Sequence, residues 1–192
     1  MKNSICITTP LTDDICKSLK VGDFVLLSGE IFTARDVAHR RLVEASLKGD
    51  KQPFDLKGKV LFYAAPTPTR PGKIIGSIGP TTSSRMDPFT PELLKIGLKG
   101  MIGKGKRSQE VISAIRQHGA VYFGAPGGIA ALMARCVKKS ELMTYEDLGP
   151  EAILRLEVAD MPLVVLVDSE GNDLYEKIRT MLTGLTKTQI LE

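Results

Sequence analysis

The stretch from Gly100 to Phe123, GMIGKGKRSQEVISAIRQHGAVYF, predicts a strand, a helix and a second strand in close succession. Gly100 to Gly103 is short and apolar, as is typical of a buried strand. Ser108 to His118 has helical spacing and a start that resembles a capping box. Ala120 to Phe123 is again apolar and strand-like. This succession favours a layered α/β fold.

The same alternation continues on both sides of that stretch. Upstream, the pattern predicts strands at Ile5 to Thr9, Phe24 to Leu27 and Val60 to Ala65, and helices at Arg35 to Lys48 and Thr90 to about Leu98. Downstream, it predicts a helix from Gly127-Gly128 to about Val137, strands at Leu156 to Val158 and Leu163 to Asp168, and a final helix at Leu174 to Leu182. Because no repeat and no linker divides the chain, we expect one domain over residues 1–192.

The composition is that of an ordinary globular protein and narrows the possible partners. Hydrophobic residues make up 43% of the chain, and 26 Lys and Arg against 22 Asp and Glu give a net charge of +4. This modest excess suits small anions or an acidic partner, whereas nucleic acid is disfavoured because the basic residues are spread out and aromatic residues are few. No apolar run is long enough for a membrane span and the start lacks a secretory stretch, so a cytoplasmic location is expected.

The three cysteines, Cys6, Cys16 and Cys136, are scattered along the chain. None has C-x-x-C spacing, so a disulfide framework is not expected. A complete iron–sulfur or other metal site within this chain is not expected either, since such sites draw on closely spaced ligands. The cysteines are therefore interpreted as free thiols.

Three segments place cations beside hydroxyls or glycines. Thr33 to Arg41 lies where a loop becomes a helix, and free N–H groups at a helix start favour an anion. Gly79 to Asp87 has four consecutive hydroxyl residues before Arg85. Ile102 to Lys106 has glycines on both sides of Lys104, which permit close approach of a ligand. Each can also be a solvated helix or turn, but together they indicate a small-anion site with two or three cationic anchors.

The glycine-rich stretch Gly124-Ala125-Pro126-Gly127-Gly128 could also hold an anion before a helix. It equally fits a tight strand-to-helix turn. The full G-x-G-x-x-G pattern is absent, so a dinucleotide site is disfavoured. The G-x-x-x-x-G-K-[ST] order is absent as well, so the Lys104 segment is not a P-loop.

Five stretches of this sequence, in order, resemble the C-terminal or beta portion of class I fumarases and L-tartrate dehydratases. They are SGEIFTARDVAHRRL, GPTTSSRMDPFTPELL, GMIGKGKRS, YFGAPGGIAALMA and LEVADMPLVVLVDSEGN, and they span most of the chain. The resemblance implies a single-domain swivelling β/β/α fold. It also implies a hydro-lyase of the tricarboxylic acid cycle that reversibly hydrates fumarate to (S)-malate.

In that family the alpha portion holds a four-iron four-sulfur cluster on three cysteines. The resemblance therefore implies a separate alpha chain that carries the cluster, with none bound by this chain. It further implies an active site across the contact between the two chains, a higher heteromeric assembly, and no activity of this chain alone. An iron of that cluster would act as a Lewis acid on the departing hydroxyl of the substrate.

The resemblance also implies roles for individual residues. Arg35, in the T-A-R-D-x-A-H stretch, and Arg85, in the T-T-S-S-R-M-D stretch, look like ligands of the substrate carboxylates. Lys104 looks like a third cation of the same site, with a catalytic role beside Thr81, which looks like the proton-abstracting residue. His39 matches the motif and is a further substrate-binding candidate.

Two alternatives remain open at this point. The chain could be the beta subunit of L-tartrate dehydratase, whose substrate carries one more hydroxyl than malate. It could also be a non-catalytic dicarboxylate-binding module. The set of Thr81, Arg35, Arg85 and Lys104 favours an enzyme over such a module.

Overall fold

The computed structural model describes residues 4–125 and 128–189, with side chains described as far as residue 183. Within these residues the strands are β1 (Ile5–Thr8), β2 (Phe24–Thr33), β3 (Val60–Phe62), β4 (Gly100–Gly103), β5 (Val121–Gly124), β6 (Val137–Thr144) and β7 (Ile153–Val167). The helices are α1 (Asp13–Ser18), α2 (Asp36–Lys48), α3 (Thr90–Lys95), α4 (Gln109–His118), α5 (Ala130–Cys136) and α6 (Leu174–Gln189). Two 3-10 segments, Ser83–Met86 and Glu146–Glu151, complete the regular structure.

The sheet closes on itself into a ring of five strands. Strands β2, β3, β4 and β5 are parallel neighbours in that order. Strand β7 runs antiparallel to both β5 and β2 and so joins the two ends. Strand β1 pairs with β2, and β6 pairs with β7, outside the ring. A mixed α/β fold is therefore confirmed, while the swivelling β/β/α assignment stays a prediction.

Strands β3, β4 and β5 are buried along their whole length because both of their faces are covered. Alternate side chains of β3 enter two different cores: Val60 and Phe62 belong to a cluster fed by all five ring strands, and Leu61 to a second cluster. The second cluster includes buried residues of α2, α3 and α4. Strands buried on both faces read as continuous apolar runs, which is why these short strands are visible in the sequence.

The two C-terminal strands that the pattern predicts, at 156–158 and 163–168, form one 15-residue strand, β7. The predicted break is a local irregularity: Asp160 has a φ of 49°, and the pairing with β2 shifts register there. The Asp160 N–H donates to Ser28 Oγ at 3.0 Å, which holds the strand on β2 through the irregularity. Other differences are the shorter β3, which ends at Phe62 rather than at residue 65, and the longer β2, which continues to Thr33.

Strand β6 is an element that the sequence pattern did not predict. It contains Lys138, Lys139 and Glu141; half of its residues are exposed and most of the others are half-buried. It lies at the edge of the sheet, paired on one side only with β7. Charged residues are common on such edges because they discourage pairing with other chains, and they conceal the alternation that marks a strand.

The predicted helices begin within about three residues of the observed positions, but α6 continues to Gln189, past the predicted end at Leu182. Ser108 caps α4, its side chain accepting a hydrogen bond from the Val111 N–H at 3.3 Å. Part of the predicted turn before α5, Pro126 and Gly127, lies outside the described residues. Among the helices that are described, none is long and apolar enough to cross a membrane.

Candidate functional site

The candidate residues follow the carboxyl ends of three neighbouring parallel strands. Arg35 lies two residues after the end of β2, and Lys104 directly follows β4. The Thr81 N–H donates to the carbonyl oxygen of Tyr63, the residue after β3, at 2.6 Å. The carboxyl ends of parallel strands meet at one edge of a sheet, where ligands of open α/β sheets also bind. The fold thus brings these three segments to one end of the ring.

The hydroxyl-rich loop lies directly against the Lys104 segment. Thr82 forms a parallel bridge with Lys104, and the Ser83 N–H donates to the Lys104 carbonyl oxygen at 2.9 Å. A Cβ on Gly103 would lie 1.9 Å from Ser83 Oγ, so this position needs glycine for the two segments to approach. Thr81 and Lys104 are therefore held on adjacent backbone segments.

Arg35 lies at the start of α2 with donor capacity that the chain does not use. It occupies the N-cap position, and the N–H of the preceding Ala34 donates to the Phe62 carbonyl at 3.0 Å. Its Nη1 lies 3.4 Å from Glu151 Oε1, on the 3-10 segment before β7. Its Nε is buried and has no hydrogen-bond partner in the described part of the chain. A buried guanidinium donor without a partner is a good position for an anion's oxygen.

Arg85 is tied to the same helix start. Its Nη2 contacts the Oδ2 of Asp36, the first residue of α2 and the neighbour of Arg35 in the chain. The Arg85 side chain is 50% exposed, so its other guanidinium N–H groups can reach a ligand. The pair is open to water on the Arg85 side, although the Asp36 side chain is only 21% exposed, so a ligand carboxylate can compete for Arg85. The structure thus connects the two candidate carboxylate ligands, Arg35 and Arg85, through Asp36.

Lys104 differs from the other two cations of its loop. Lys106 forms an ion pair with Glu176 at 3.5 Å, and Arg107 is buried against Asp87. The Lys104 side chain is exposed and, over residues 4–125 and 128–189, has no hydrogen-bonding or ion-pair partner. Its ammonium is therefore available to a ligand or to a neighbouring hydroxyl.

A buried ion pair that the sequence did not reveal joins the two loops. Arg107, whose side chain is 0% exposed, donates from Nε to Asp87 Oδ1 and from Nη2 to Thr90 Oγ1, both at 2.7 Å. The second oxygen of Asp87 accepts the Ser108 N–H at 2.7 Å. Both partners lie within motifs of the sequence, but charge alone does not distinguish a buried cation from an exposed one.

Two tyrosines complete this support. The Arg107 guanidinium carbon lies 5.0 Å from the ring centroid of Tyr122 and 5.4 Å from that of Tyr63. The Tyr122 hydroxyl lies 2.8 Å from Ser83 Oγ and 2.9 Å from the Gly105 carbonyl oxygen. Burial raises the pKa of Tyr122, so its hydroxyl stays neutral. A tyrosine inside an apolar strand is the signal that could have indicated this role, because a buried hydroxyl requires partners.

His39 lies beneath the site and has no access to solvent. It is 0% exposed, and its Nδ1 lies 2.9 Å from the carbonyl oxygen of Arg35. Its Nε2 has no hydrogen-bond partner among the residues that the structure describes. The ring packs edge-on against Tyr63, with centroids 5.0 Å apart. A neutral His39 protonated at Nδ1 would donate to that carbonyl, so its effect on a ligand would pass through Arg35.

We expect the stability of the protein to depend on pH through His39. Burial lowers its pKa from 6.5 to about 4 in the folded chain, against the opposing effect of the Arg35 carbonyl. Between these two pKa values the unfolded chain binds a proton that the native chain does not, so stability falls as the pH falls. Relative to His39→Phe, the wild type should lose up to about 1.4 kcal/mol of unfolding free energy per pH unit across this window.

Urea unfolding of both proteins at pH 7, 6 and 5 measures this difference. His39→Phe keeps a ring of similar shape but cannot titrate, and every other titrating group is common to the two proteins. Parallel stability profiles would show that His39 takes up its proton in the folded chain.

The cysteines do not converge on a metal site. Cys6 is exposed, Cys16 is buried and Cys136 is half-buried, and all three are free. Within the described residues no group of three or more His, Cys, Asp or Glu side chains could hold a metal ion. The side chains present therefore do not fit an iron–sulfur cluster.

Comparison with known proteins places these observations in a family. The family model of the fumarase C-terminus matches residues 1–178. The chain is 41% identical over 174 residues to a protein of Methanocaldococcus jannaschii provisionally named L(+)-tartrate dehydratase subunit beta. This match covers 88% of the present chain and 89% of that protein. It is 41% identical over 163 residues to the aerobic class I fumarate hydratase of Escherichia coli and 38% identical over 159 residues to fumarate hydratase 2 of Leishmania major.

The relatives differ in the share of their own length that this chain matches. The match to the two fumarate hydratases covers 84% and 82% of this chain but only 29% and 28% of theirs. The chain therefore spans less than a third of the length of these two fumarate hydratases.

Proposed function

The chain belongs to the fumarase C-terminus family, and we propose that it is the beta subunit of a cytoplasmic hydro-lyase that interconverts fumarate and (S)-malate with a separate alpha chain. The observation that carries this proposal is the convergence of Thr81, Lys104 and the linked Arg35–Arg85 pair at one end of the ring. Fumarate hydratases are among its relatives. Alone, the chain would present only part of an active site.

In this proposal Arg35 and Arg85 bind the two carboxylates of the substrate. Each now contacts a carboxylate of the chain itself, Glu151 and Asp36 respectively. A dicarboxylate would replace or share these contacts and use the free Nε of Arg35. Loss of the C–H proton beside a carboxylate puts extra negative charge on that group, and cations already in place stabilise it where it develops. Fixing both carboxylates also orients the reacting carbon.

Thr81 is the proposed base, and Lys104 is its proposed activating cation. A hydroxyl is ionised to a negligible extent at neutral pH, so it needs a neighbouring group that stabilises its anion. Lys104 follows on the adjacent segment with an exposed ammonium. The Thr81 hydroxyl proton would first pass to solvent, leaving an Oγ1 anion that the Lys104 ammonium stabilises, and Oγ1 would then take the proton removed from malate.

Residues behind the site hold this arrangement in place. His39 contacts the carbonyl of Arg35, and Arg107 joins the Thr81 loop to the Lys104 loop through Asp87. These are positioning residues in the proposal, and burial makes them rigid.

We place the iron–sulfur cluster in the alpha chain, because the side chains described here offer no ligand set for it. When bound there, it would supply a Lewis acid for the substrate hydroxyl. The roles proposed for Thr81, Lys104, Arg35 and Arg85 concern the carboxylates and the C–H proton only.

One specific observation favours a second candidate, the beta subunit of L-tartrate dehydratase. The relative with that provisional name matches over 89% of its own length, as expected of a separate beta chain. Tartrate is also a dicarboxylate, so the same three cations would serve it.

Reconstitution tests the proposal. We expect this chain, co-expressed with its alpha chain and supplied with the cluster without oxygen, to convert malate to fumarate, followed by fumarate absorbance, whereas neither chain does so alone. Turnover of tartrate but not malate would assign the second candidate. A complex without turnover, or no complex at all, would contradict the enzymatic proposal and favour a dicarboxylate-binding module.

A further inference from the structure

A basic groove beside the candidate site is not used by the proposed reaction. It has a volume of about 530 Å³ and lies between the segment of residues 67–77 and α5 with the start of β6. Four cations line it: Arg70 and Lys73 on the first wall, and Arg135 and Lys138 on the second. All four side chains are exposed.

The groove lacks compensating negative charge. No Asp or Glu is among its lining residues, and none of the four cations forms an ion pair in the part of the chain that the structure describes. The polar contact that Lys138 makes is to a backbone carbonyl, that of Arg135, at 3.1 Å. Arg35 and Arg85 of the candidate site, by contrast, each have a carboxylate neighbour. Four unpaired like charges around one cavity attract an acidic occupant.

The groove is also partly apolar. Ile74 is 54% exposed at its rim, and Ile75 is buried in its wall. Ala131, Ala134 and Val137 also line the groove, and a small inorganic anion would leave these apolar side chains uncovered. A peptide segment that carries both acidic and apolar side chains would cover both kinds of surface.

The groove walls continue into the candidate site. Thr67 and Ser77 are joined by a backbone hydrogen bond of 3.0 Å, and a Cβ on Gly76 would lie 2.0 Å from the Thr67 carbonyl, so this wall is closely folded. The Ile78 N–H donates to the Ala130 carbonyl of α5 at 3.2 Å, and Thr81 follows three residues later. A chain that completes the site at Thr81 is therefore adjacent to the groove.

We propose that this groove is the docking site for an acidic, partly apolar segment of the alpha chain. The inference rests on the proposed function, which requires a second chain. It is supported by two fumarate hydratase relatives, in which the region matched by this chain is 29% and 28% of a longer polypeptide, leaving a remainder that the proposal equates with the alpha chain. The groove supplies charge complementarity at the place where that remainder would meet the site.

Charge reversal of the intact chain tests the docking surface. We expect two double variants, Arg70→Glu/Lys73→Glu and Arg135→Glu/Lys138→Glu, each to weaken binding to the alpha chain at least ~10-fold. A close charge pair across an interface typically changes the affinity by about tenfold or more. The matched control is Lys48→Glu/Lys51→Glu, which changes the same charge at two exposed residues, the last of α2 and one just beyond it, and should alter affinity less than ~2-fold. Calorimetry at low and high salt gives the affinities, and circular dichroism checks the fold.

The outcomes separate this inference from the proposed function. Weaker assembly of the groove variants, with turnover restored by excess alpha chain, supports the docking site. An active wild-type complex whose affinity is unchanged by the groove variants overturns the docking site and leaves the proposed function intact. Unchanged assembly with a raised KM for malate also overturns it, because the groove would then act on a small anion. Failure of the wild type to bind the alpha chain overturns both.

Discussion

Thr81→Ala is expected to lower kcat of the assembled enzyme at least ~100-fold with little change in KM, the loss typical of removing a general base. The Thr81 backbone is held by a 2.6 Å hydrogen bond to Tyr63, which does not involve the side chain. The substitution therefore removes the hydroxyl and leaves the loop in place. Arg35 and Arg85 remain to bind the carboxylates, so substrate affinity should persist.

The neighbouring threonine supplies a matched control. Thr82→Ala removes the same chemical group from the adjacent, exposed position, and its backbone bridge to Lys104 does not depend on the side chain. We expect Thr82→Ala to keep kcat within a few-fold of the wild type and Thr81→Ser to retain part of the activity. Equal effects at the two threonines, or near-normal turnover of Thr81→Ala, would remove Thr81 from the role of base.

Arg107→Met is expected to destabilise the chain by about 3–5 kcal/mol, because it leaves the largely buried Asp87 carboxylate without its partner. Methionine keeps much of the volume of the arginine stem between Tyr63 and Tyr122, so the loss comes mainly from charge and hydrogen bonds. Urea unfolding of the isolated chain measures it. Arg107→Met/Asp87→Asn should recover part of the loss, since it removes the unpaired charge and keeps an acceptor for the Ser108 N–H.

An exposed ion pair gives the comparison. Arg155 contacts Glu141 on the edge of the sheet, and both side chains are more than a third exposed. Because water screens such pairs, Arg155→Ala should hardly change the unfolding free energy. If Arg107→Met proved as mild as Arg155→Ala, the buried pair would not be what holds the two loops together.

The sequence predicted the three parallel strands β3, β4 and β5 best, and the edge strand β6 and the closing strand β7 worst. β3, β4 and β5 are buried on both faces, so their apolar runs identify them directly. β6 was missed because this edge strand, with two lysines and a glutamate, has no apolar alternation. β7 was divided in two because the irregularity at Asp160 looks like a turn locally, whereas contacts distant in the sequence, the pairing with β2 among them, hold it within one strand.

The candidate site shows a similar limit. Motifs identified Thr81, Lys104, Arg35 and Arg85, and the fold places their segments at one end of the ring. What the motifs could not give are contacts between distant segments, such as that of Arg35 with Glu151. Glu151 lies in a 3-10 segment with no sequence pattern of its own, and only the folded chain shows that its carboxylate reaches the helix start.

The closure of the ring by β7 has a consequence for the order of folding. Strands β2 to β5 precede residue 125, but the strand that joins their two ends begins at Ile153. During synthesis the parallel strands therefore leave the ribosome with both outer edges unpaired, and closure has to wait for contacts that are distant along the chain, which are slow to form. Unpaired edges are prone to pair with other chains. A nascent or truncated chain that lacks β7 is thus the form of this protein most exposed to aggregation.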